Sequence, residues 1–261
     1  DTAQYEYPTL AARTLQLFTT ITNAHAAMQK PLRDVQVLAT ASSVAFYERV
    51  MPIVRTLNNY VATAIPRAEV DSAIMLVKHL TVSVRDAQTA ASRAEHRAIL
   101  KKLGAHTTVA RVAAGAAVVA DTGGVAPWLL PLLRASYAFL QDHTDSDRRV
   151  AMDLLRFIPS AARHAATAGC GALDFLARMA ADVEVATSFD ESTIQDVALA
   201  IPAGGFSPRA MQLFHSLLFH RATGPIVRNA PAVLKALLAA ENSSPGIIRC
   251  QDVTCGRVGR R

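Results

Sequence analysis

The side chains with most to offer chemically in this 261-residue chain are cations in helical spacing. Arg93, Arg97 and Lys101 recur at i, i+4 and i+8, Lys102 and Arg111 follow, and only Glu95 opposes them. That spacing lines cations along one helix face, where they can track the phosphates of a nucleic acid. Arg249, Arg257, Arg260 and Arg261 stand in a second basic stretch that has glycines and no apolar periodicity. It reads as an arm that orders on RNA or on an acidic protein face. No aromatic residues interleave with it, so base stacking is not expected. Carboxylates gather between these stretches, at Asp182, Glu184, Asp190, Glu191 and Asp196. Residues 171–207 carry one basic group against six acids, whereas residues 208–261 carry eight basic groups against two. One acidic and one basic region imply two surfaces for different partners, the acidic one for protein.

Groups that would catalyse a reaction or hold a metal are not assembled along the chain. His215 and His220 lie five residues apart, a turn of about 500° on a helix, so they miss the i, i+4 alignment of a zinc helix. Cys250 and Cys255 form C-x4-C with no second ligand pair nearby. Asp145-Ser146-Asp147 lacks the further oxygen ligands of a calcium loop and reads as helix capping. Neither Gly123-Gly124 nor Gly204-Gly205 is followed by Gly-Lys-Ser/Thr, and no G-x-S-x-G elbow occurs. Asp182 and Glu184 lie in a surface-like stretch with nothing to raise a carboxyl pKa. The expectation is no catalytic residue, no metal, no cofactor and no small-molecule substrate. A triad brought together only by folding is the one enzymatic route left.

The elements that must position these groups follow from composition and punctuation. Hydrophobic residues make up 51% and charged residues 18%, with a mean hydropathy of +0.21, which excludes a disordered chain. Aromatics are only 6%, so the core is built from Ala, Leu and Val, which allow close helix–helix approach. The longest apolar run, residues 112–120, is about half the ~20 residues of a membrane span, and no membrane partner is expected. Three cysteines make no disulfide framework and suggest a reducing compartment. The chain opens at Asp1 without Met, which reads as a processed or trimmed end.

No glycine precedes Gly104, so the first hundred residues should be long helices broken or kinked at prolines such as Pro52 and Pro66. Val70, Ile74, Val77, Thr81 and Val84 keep helical spacing. No stretch alternates with period two and no Asn-Gly or Asp-Gly turn appears, which predicts no sheet. Ser92-Arg93-Ala94-Glu95 and Ser188-Phe189-Asp190-Glu191 fit capping boxes, Ser207 precedes a proline at N1, and Gly104, Gly169 and Gly224 suit left-handed C-caps. About ten helices of 10–20 residues are expected.

Two landmarks repeat. Gly123-Gly124-Val125-Ala126-Pro127-Trp128-Leu129-Leu130-Pro131-Leu132-Leu133 recurs loosely as Gly169-Cys170-Gly171-Ala172-Leu173-Asp174-Phe175-Leu176-Ala177-Arg178-Met179. Val150-Ala151-Met152-Asp153-Leu154 recurs as Val197-Ala198-Leu199-Ala200-Ile201. Gly124 to Gly171 and Val150 to Val197 are both 47 residues, a shared offset that points to structural repeats. On these motifs the chain resembles the armadillo and HEAT families of α-solenoids over roughly residues 93–240. One unit would comprise residues 113–122, 125–135 and 147–158, and the next residues 161–168, 172–181 and 191–201. A third, at 208–221, 225–229 and 231–240, does not continue the 47-residue period. Peptide-binding armadillo proteins present an asparagine on the third helix, where this chain has Phe157, so their extended-peptide groove is not implied.

The expected fold is all-α, a right-handed α-solenoid of armadillo/HEAT-like repeats. Residues 1–90 would continue the solenoid, 91–240 would carry the repeats and 241–261 a basic flexible tail. Leu129, Leu132, Leu154, Leu155, Leu173, Leu176 and Leu213 should be buried between layers. The resemblance implies stacked units presenting long surfaces to partners. The leading expectation is a non-catalytic scaffold subunit of a ribonucleoprotein assembly, in organellar RNA processing or a ribosome, binding protein subunits and RNA. The mitochondrial matrix is the expected compartment, from basicity and the processed-looking start, with cytoplasm or nucleus as alternatives. The rival functions are a cytosolic or nuclear protein adaptor without RNA, and a helical enzyme with a dispersed site.

Overall fold

The computed structural model describes residues 12–23, 40–63, 65–118, 125–145, 147–167, 169–199, 208–220 and 223–243. The chain is mostly helical with almost no strand, and it divides into two compact units, Asp1–Tyr47 and Glu48–Arg261.

The first unit holds helix α1 (residues 12–23) and the opening turns of α2 (Ala41–Thr63). Thr40 caps α2, its Oγ1 accepting from the Ser43 amide at 3.1 Å. Leu15, Leu17, Phe18 and Ile21 of α1 are exposed.

The second unit takes up α2 from Glu48 and adds eleven described helices. These are α3 (Val70–Arg85), α4 (Ala90–Lys102), α5 (Ala105–Val118), α6 (Leu130–Thr144), α7 (Arg148–Leu154), α8 (Ile158–His164), α9 (Ala172–Met179), α10 (Val183–Thr187), α11 (Glu191–Leu199), α12 (Pro208–Leu218) and α13 (Ala230–Ser243). Helices three apart in chain order tend to be neighbours. α3 packs on α6, α6 on α9 and α9 on α12, while α5 packs on α8 and α8 on α11, with α13 closing against α11 and α12. Polar bridges make the third set of contacts: Lys101 of α4 reaches Asp147 at the head of α7, and Arg148 of α7 reaches Asp182 and Glu184 of α10.

The sequence dictates this by periodicity. On α3, Val70, Ile74, Val77, Leu80 and Val84 are buried at helical spacing. α6 contributes Leu132, Leu133, Tyr137, Phe139 and Leu140, and α9 contributes Phe175, Leu176 and Met179. The ring centroids of Tyr137 and Phe175 lie 5.5 Å apart, which binds these two helices through an aromatic contact. Leu129, Leu132, Leu154, Leu176 and Leu213 are buried, whereas Leu155 and Leu173 are only half-buried.

Several local expectations differ from what forms. α2 runs through Pro52, so that proline does not end the helix. The cap of α4 is Thr89, whose Oγ1 accepts from the Ser92 amide at 3.1 Å, which puts Ser92 inside the helix. At α11 the cap is Asp190, which accepts from the Thr193 amide at 2.8 Å. Helices α7 to α11 are shorter than the 10–20 residues expected. One cause is Pro159, at the start of α8: it offers no amide to the Leu155 carbonyl, and the chain turns through a 3₁₀ segment, Leu155–Phe157, instead of continuing α7. A small hairpin also forms, β1 (Phe219–His220) paired antiparallel with β2 (Gly224–Pro225). Its loop contains no Asn-Gly or Asp-Gly, so the usual turn signal is missing. Gly104 follows the Leu103 cap of α4 with positive φ, as a helix-ending glycine does. Gly169 instead lies beyond the Ala165 cap of α8, in the turn closed by the Cys170 amide on the Thr167 carbonyl, and Gly224, also at positive φ, belongs to the hairpin. Gly171 precedes α9 at φ 87°, and a Cβ there would lie 3.4 Å from the Tyr137 Cβ, so strain rather than space restricts that position to glycine.

Candidate functional site

α4 positions the basic stripe. Its buried face is His96, Ile99 and Leu100, which turns Arg93 outward and leaves Arg97 and Lys101 half-buried at the flank. The three cations meet different fates. Lys101 donates to the Asp147 carboxylate at the head of α7. Burial acts to raise the Asp147 carboxyl, but the Lys101 and Arg149 donors outweigh it and hold it below the usual carboxylate range. Arg93 donates to the Ala87 carbonyl at 3.4 Å. Arg97 forms no ion pair among the described residues, and its Nε is buried without an acceptor among them. Lys102 and Arg111 are exposed.

Folding adds partners to this stripe that its spacing does not contain. Arg85 of α3 comes beside it and pairs with Asp142 of α6 at 2.7 Å. A cleft of about 240 Å³ lies there, lined by Arg85, Arg93, Arg97, Asp142, Phe139 and His143 among others. His143 is buried, its Nδ1 3.1 Å from the Phe139 carbonyl, and burial together with nearby His106 and Arg97 pushes its pKa down to about 4. It is therefore neutral at pH 7 and adds no charge to the cleft. Arg85 and Asp142 are 57 residues apart in sequence. The exposed arginine near the end of α3 was the only local hint of this cleft.

The acidic candidates are largely engaged within the chain. Asp182 caps α10, accepting from Glu184 and Val185 amides, and with Glu184 it holds Arg148 at 2.7 and 2.6 Å. Glu191 pairs with Lys235. Asp190 caps α11, and donors from Thr193 hold its carboxyl below the usual range. Asp196 is exposed. These carboxylates tie α7 to α10 and α11 to α13 more than they form one open face.

A buried polar cluster was not foreseen. Tyr137, His164 and Cys170 are each almost fully buried, with the Tyr137 hydroxyl 2.6 Å from His164 Nδ1 and the Cys170 thiol donating to the His164 carbonyl at 3.2 Å. Burial pushes Tyr137 and Cys170 up and His164 down to about 4. A protonated thiol bonded to a carbonyl and a neutral imidazole bonded to a phenol lack the base–nucleophile contact of covalent catalysis.

The remaining motifs separate in space or fall elsewhere. His215 lies beside Phe219, ring centroids 5.7 Å apart and tilted by 50°, while His220 contacts Thr223. Asp147 caps α7, as expected, and Asp145 pairs with Arg178. Gly123, Gly124, Gly204, Gly205, Cys250, Cys255, Arg249, Arg257, Arg260 and Arg261 lie outside the described residues. Among the described residues no group of three or more His, Cys, Asp or Glu is placed to hold a metal, and no helix is long and apolar enough to cross a membrane. No protein-family model, curated protein or solved structure matches the chain.

Proposed function

We propose that the second unit is an armadillo-like stack of three-helix layers and that the chain serves as a non-catalytic scaffold subunit of a ribonucleoprotein assembly. The observation that carries this reading is the stride of three: α3, α6, α9 and α12 form one row, and α5, α8 and α11 another. The layers would be α2–α4, α5–α7, α8–α10 and α11–α13. On this reading the third helix of the layer after α7 is the five-residue α10, not the segment 191–201, which opens the following layer. The shared 47-residue offset therefore relates α6 to α9 as equivalents, but pairs α7 with a helix of a different row. A layer of three short helices cannot bury its apolar face alone, and stacking leaves long lateral surfaces for partners.

RNA is the favoured non-protein partner because Arg93 and Arg97 carry charge that no carboxylate among the described residues neutralises. Lys101 contributes less, since Asp147 already holds it. The test is native purification, with sequencing of co-purifying RNA and mass spectrometry of co-purifying proteins, followed by filter binding across a salt series. Replacing Arg93, Arg97 and Lys101 with Gln should lower the slope of log K against log salt by about 1.4–1.8, the contribution of two phosphates rather than three. Protein partners recovered without RNA, together with no RNA binding near physiological salt, would replace this reading with that of a protein adaptor.

A further inference from the structure

The cleft between α3, α4 and α6 combines charge, a buried aromatic wall and an unmet hydrogen-bonding group. Arg85, Arg93 and Arg97 supply three positive charges and Asp142 one negative charge, a balance of +2 with His143 neutral. Asp142 already occupies Arg85 at 2.7 Å. The Nε of Arg97 is buried, and nothing among the described residues accepts its proton. A buried donor on a charged group is costly to leave without an acceptor, and an anion in the cleft would supply one. Phe139, fully buried, forms part of the wall, so field lines from the arginines are less screened there than over open surface. Guanidinium forks match the paired oxygens of a phosphate better than an ammonium does.

We infer that this cleft binds a phosphate dianion, free or as the terminal group of a phosphomonoester, with Arg93 and Arg97 as its principal contacts and Arg85 shared with Asp142. The volume of about 240 Å³ falls below the roughly 300–1,000 Å³ of pockets that enclose a whole small-molecule ligand. It suits one phosphate group whose attached remainder stays outside. A dianion matches the +2 balance, whereas a backbone diester, with one charge, would leave half of it unmet. The inference shares Arg93 and Arg97 with the RNA reading but does not rest on it, because phosphate binding here requires neither RNA nor an assembly.

Isothermal titration of the full chain with inorganic phosphate, at ionic strength fixed with chloride, tests it. One saturable site is expected. Arg93→Gln and Arg97→Gln should each weaken phosphate binding roughly tenfold or more. Asp142→Asn, which releases Arg85, should tighten it, a gain that a damaged fold cannot produce. Arg149→Gln, exposed on α7 and outside the cleft, should leave affinity unchanged. Two competitors then separate the source of the phosphate: a ribo-oligonucleotide with a 5′-phosphate and its 5′-hydroxyl twin. Competition by the phosphorylated strand alone extends the site to strand ends. Equal competition by both would show recognition of diesters and overturn the dianion assignment. Absence of saturable phosphate binding, or wild-type affinity in Arg97→Gln, would overturn the site itself, and RNA binding that persisted in that variant would leave the scaffold reading standing.

Discussion

The phenol of Tyr137 on α6 and Nδ1 of His164 on α8 share a hydrogen bond of 2.6 Å inside the core. Burial raises the phenol and lowers the imidazole, so both are neutral at pH 7, and the His164 tautomer sets which of the two donates. The other ring nitrogen of His164, Nε2, is buried without a partner among the described residues. Tyr137→Phe keeps the ring and removes the hydroxyl, leaving the buried Nδ1 unpaired as well. A loss of about 1–3 kcal/mol is expected. Urea denaturation should show a lower midpoint at an unchanged m-value, and an unchanged midpoint would deny the bond a structural role.

Stability should fall on mild acidification. His143 and His164 titrate at about 4 in the fold against 6.5 in the unfolded chain. Between those values the unfolded chain binds protons that the fold refuses, so stability is complete above pH 6.5 and declines as pH drops toward 4. The charged and titratable groups facing them are Arg97, Asp142 and His106 for His143, and Arg163 and Tyr137 for His164. Each imidazole should remove about 2 kcal/mol between pH 7.5 and pH 5. The lowered carboxyls of Asp147 and Asp190 act in the same sense only at lower pH. Urea midpoints measured at the two pH values give the test, and a flat profile would contradict the burial of both rings.

Leu154 and Leu155 are adjacent but not equivalent. Leu154 is fully buried at the end of α7, and Leu155, in the 3₁₀ turn, is half-buried. Leu154→Ala should cost about 2–5 kcal/mol as a core truncation, and Leu155→Ala clearly less. Thermal melts of the two variants side by side give the test, and an inverted order would put Leu155 rather than Leu154 in the core.

Asn229 closes the end of the second unit. Its buried amide nitrogen donates to the carbonyls of Ala186 and Leu217, each at 2.9 Å, tying α10 and α12 to the turn before α13. Asn229→Ala should cost roughly 1–3 kcal/mol by orphaning those carbonyls. Asn229→Asp should cost more, because a carboxylate would face two acceptors. Hydrogen exchange should speed up first in α10, α12 and α13, and uniform change elsewhere would refute a local clasp.

The helical class, the apolar stripes and the capping role of Asp147 were legible because each is written locally, in spacing or in one side chain beside an amide. Capping boxes slipped by a few residues because several neighbours can cap: Thr89 and Asp190 serve where Ser92 and Ser188 also fit the pattern. The five-residue α10 escaped notice since Val183–Thr187 is too short to show a period. For the candidate site, α4 and its cations were readable, but Arg85, Asp142 and His143 arrive only through the packing of α3 on α6. Equally hidden was which cations remain available, because Lys101 and Asp147 become partners across 46 residues of chain.

The bond between the Cys170 thiol and the His164 carbonyl makes that sulfur a clock. Its pKa is raised by burial, and the side chain is sealed in the core, so no thiolate is presented while the α6–α8–α9 junction is shut. Alkylation of Cys170, followed by peptide mapping that separates it from Cys250 and Cys255, would thus count openings of that junction one molecule at a time. Its rate in native buffer would report how often the second unit breathes, without any label having been engineered into it.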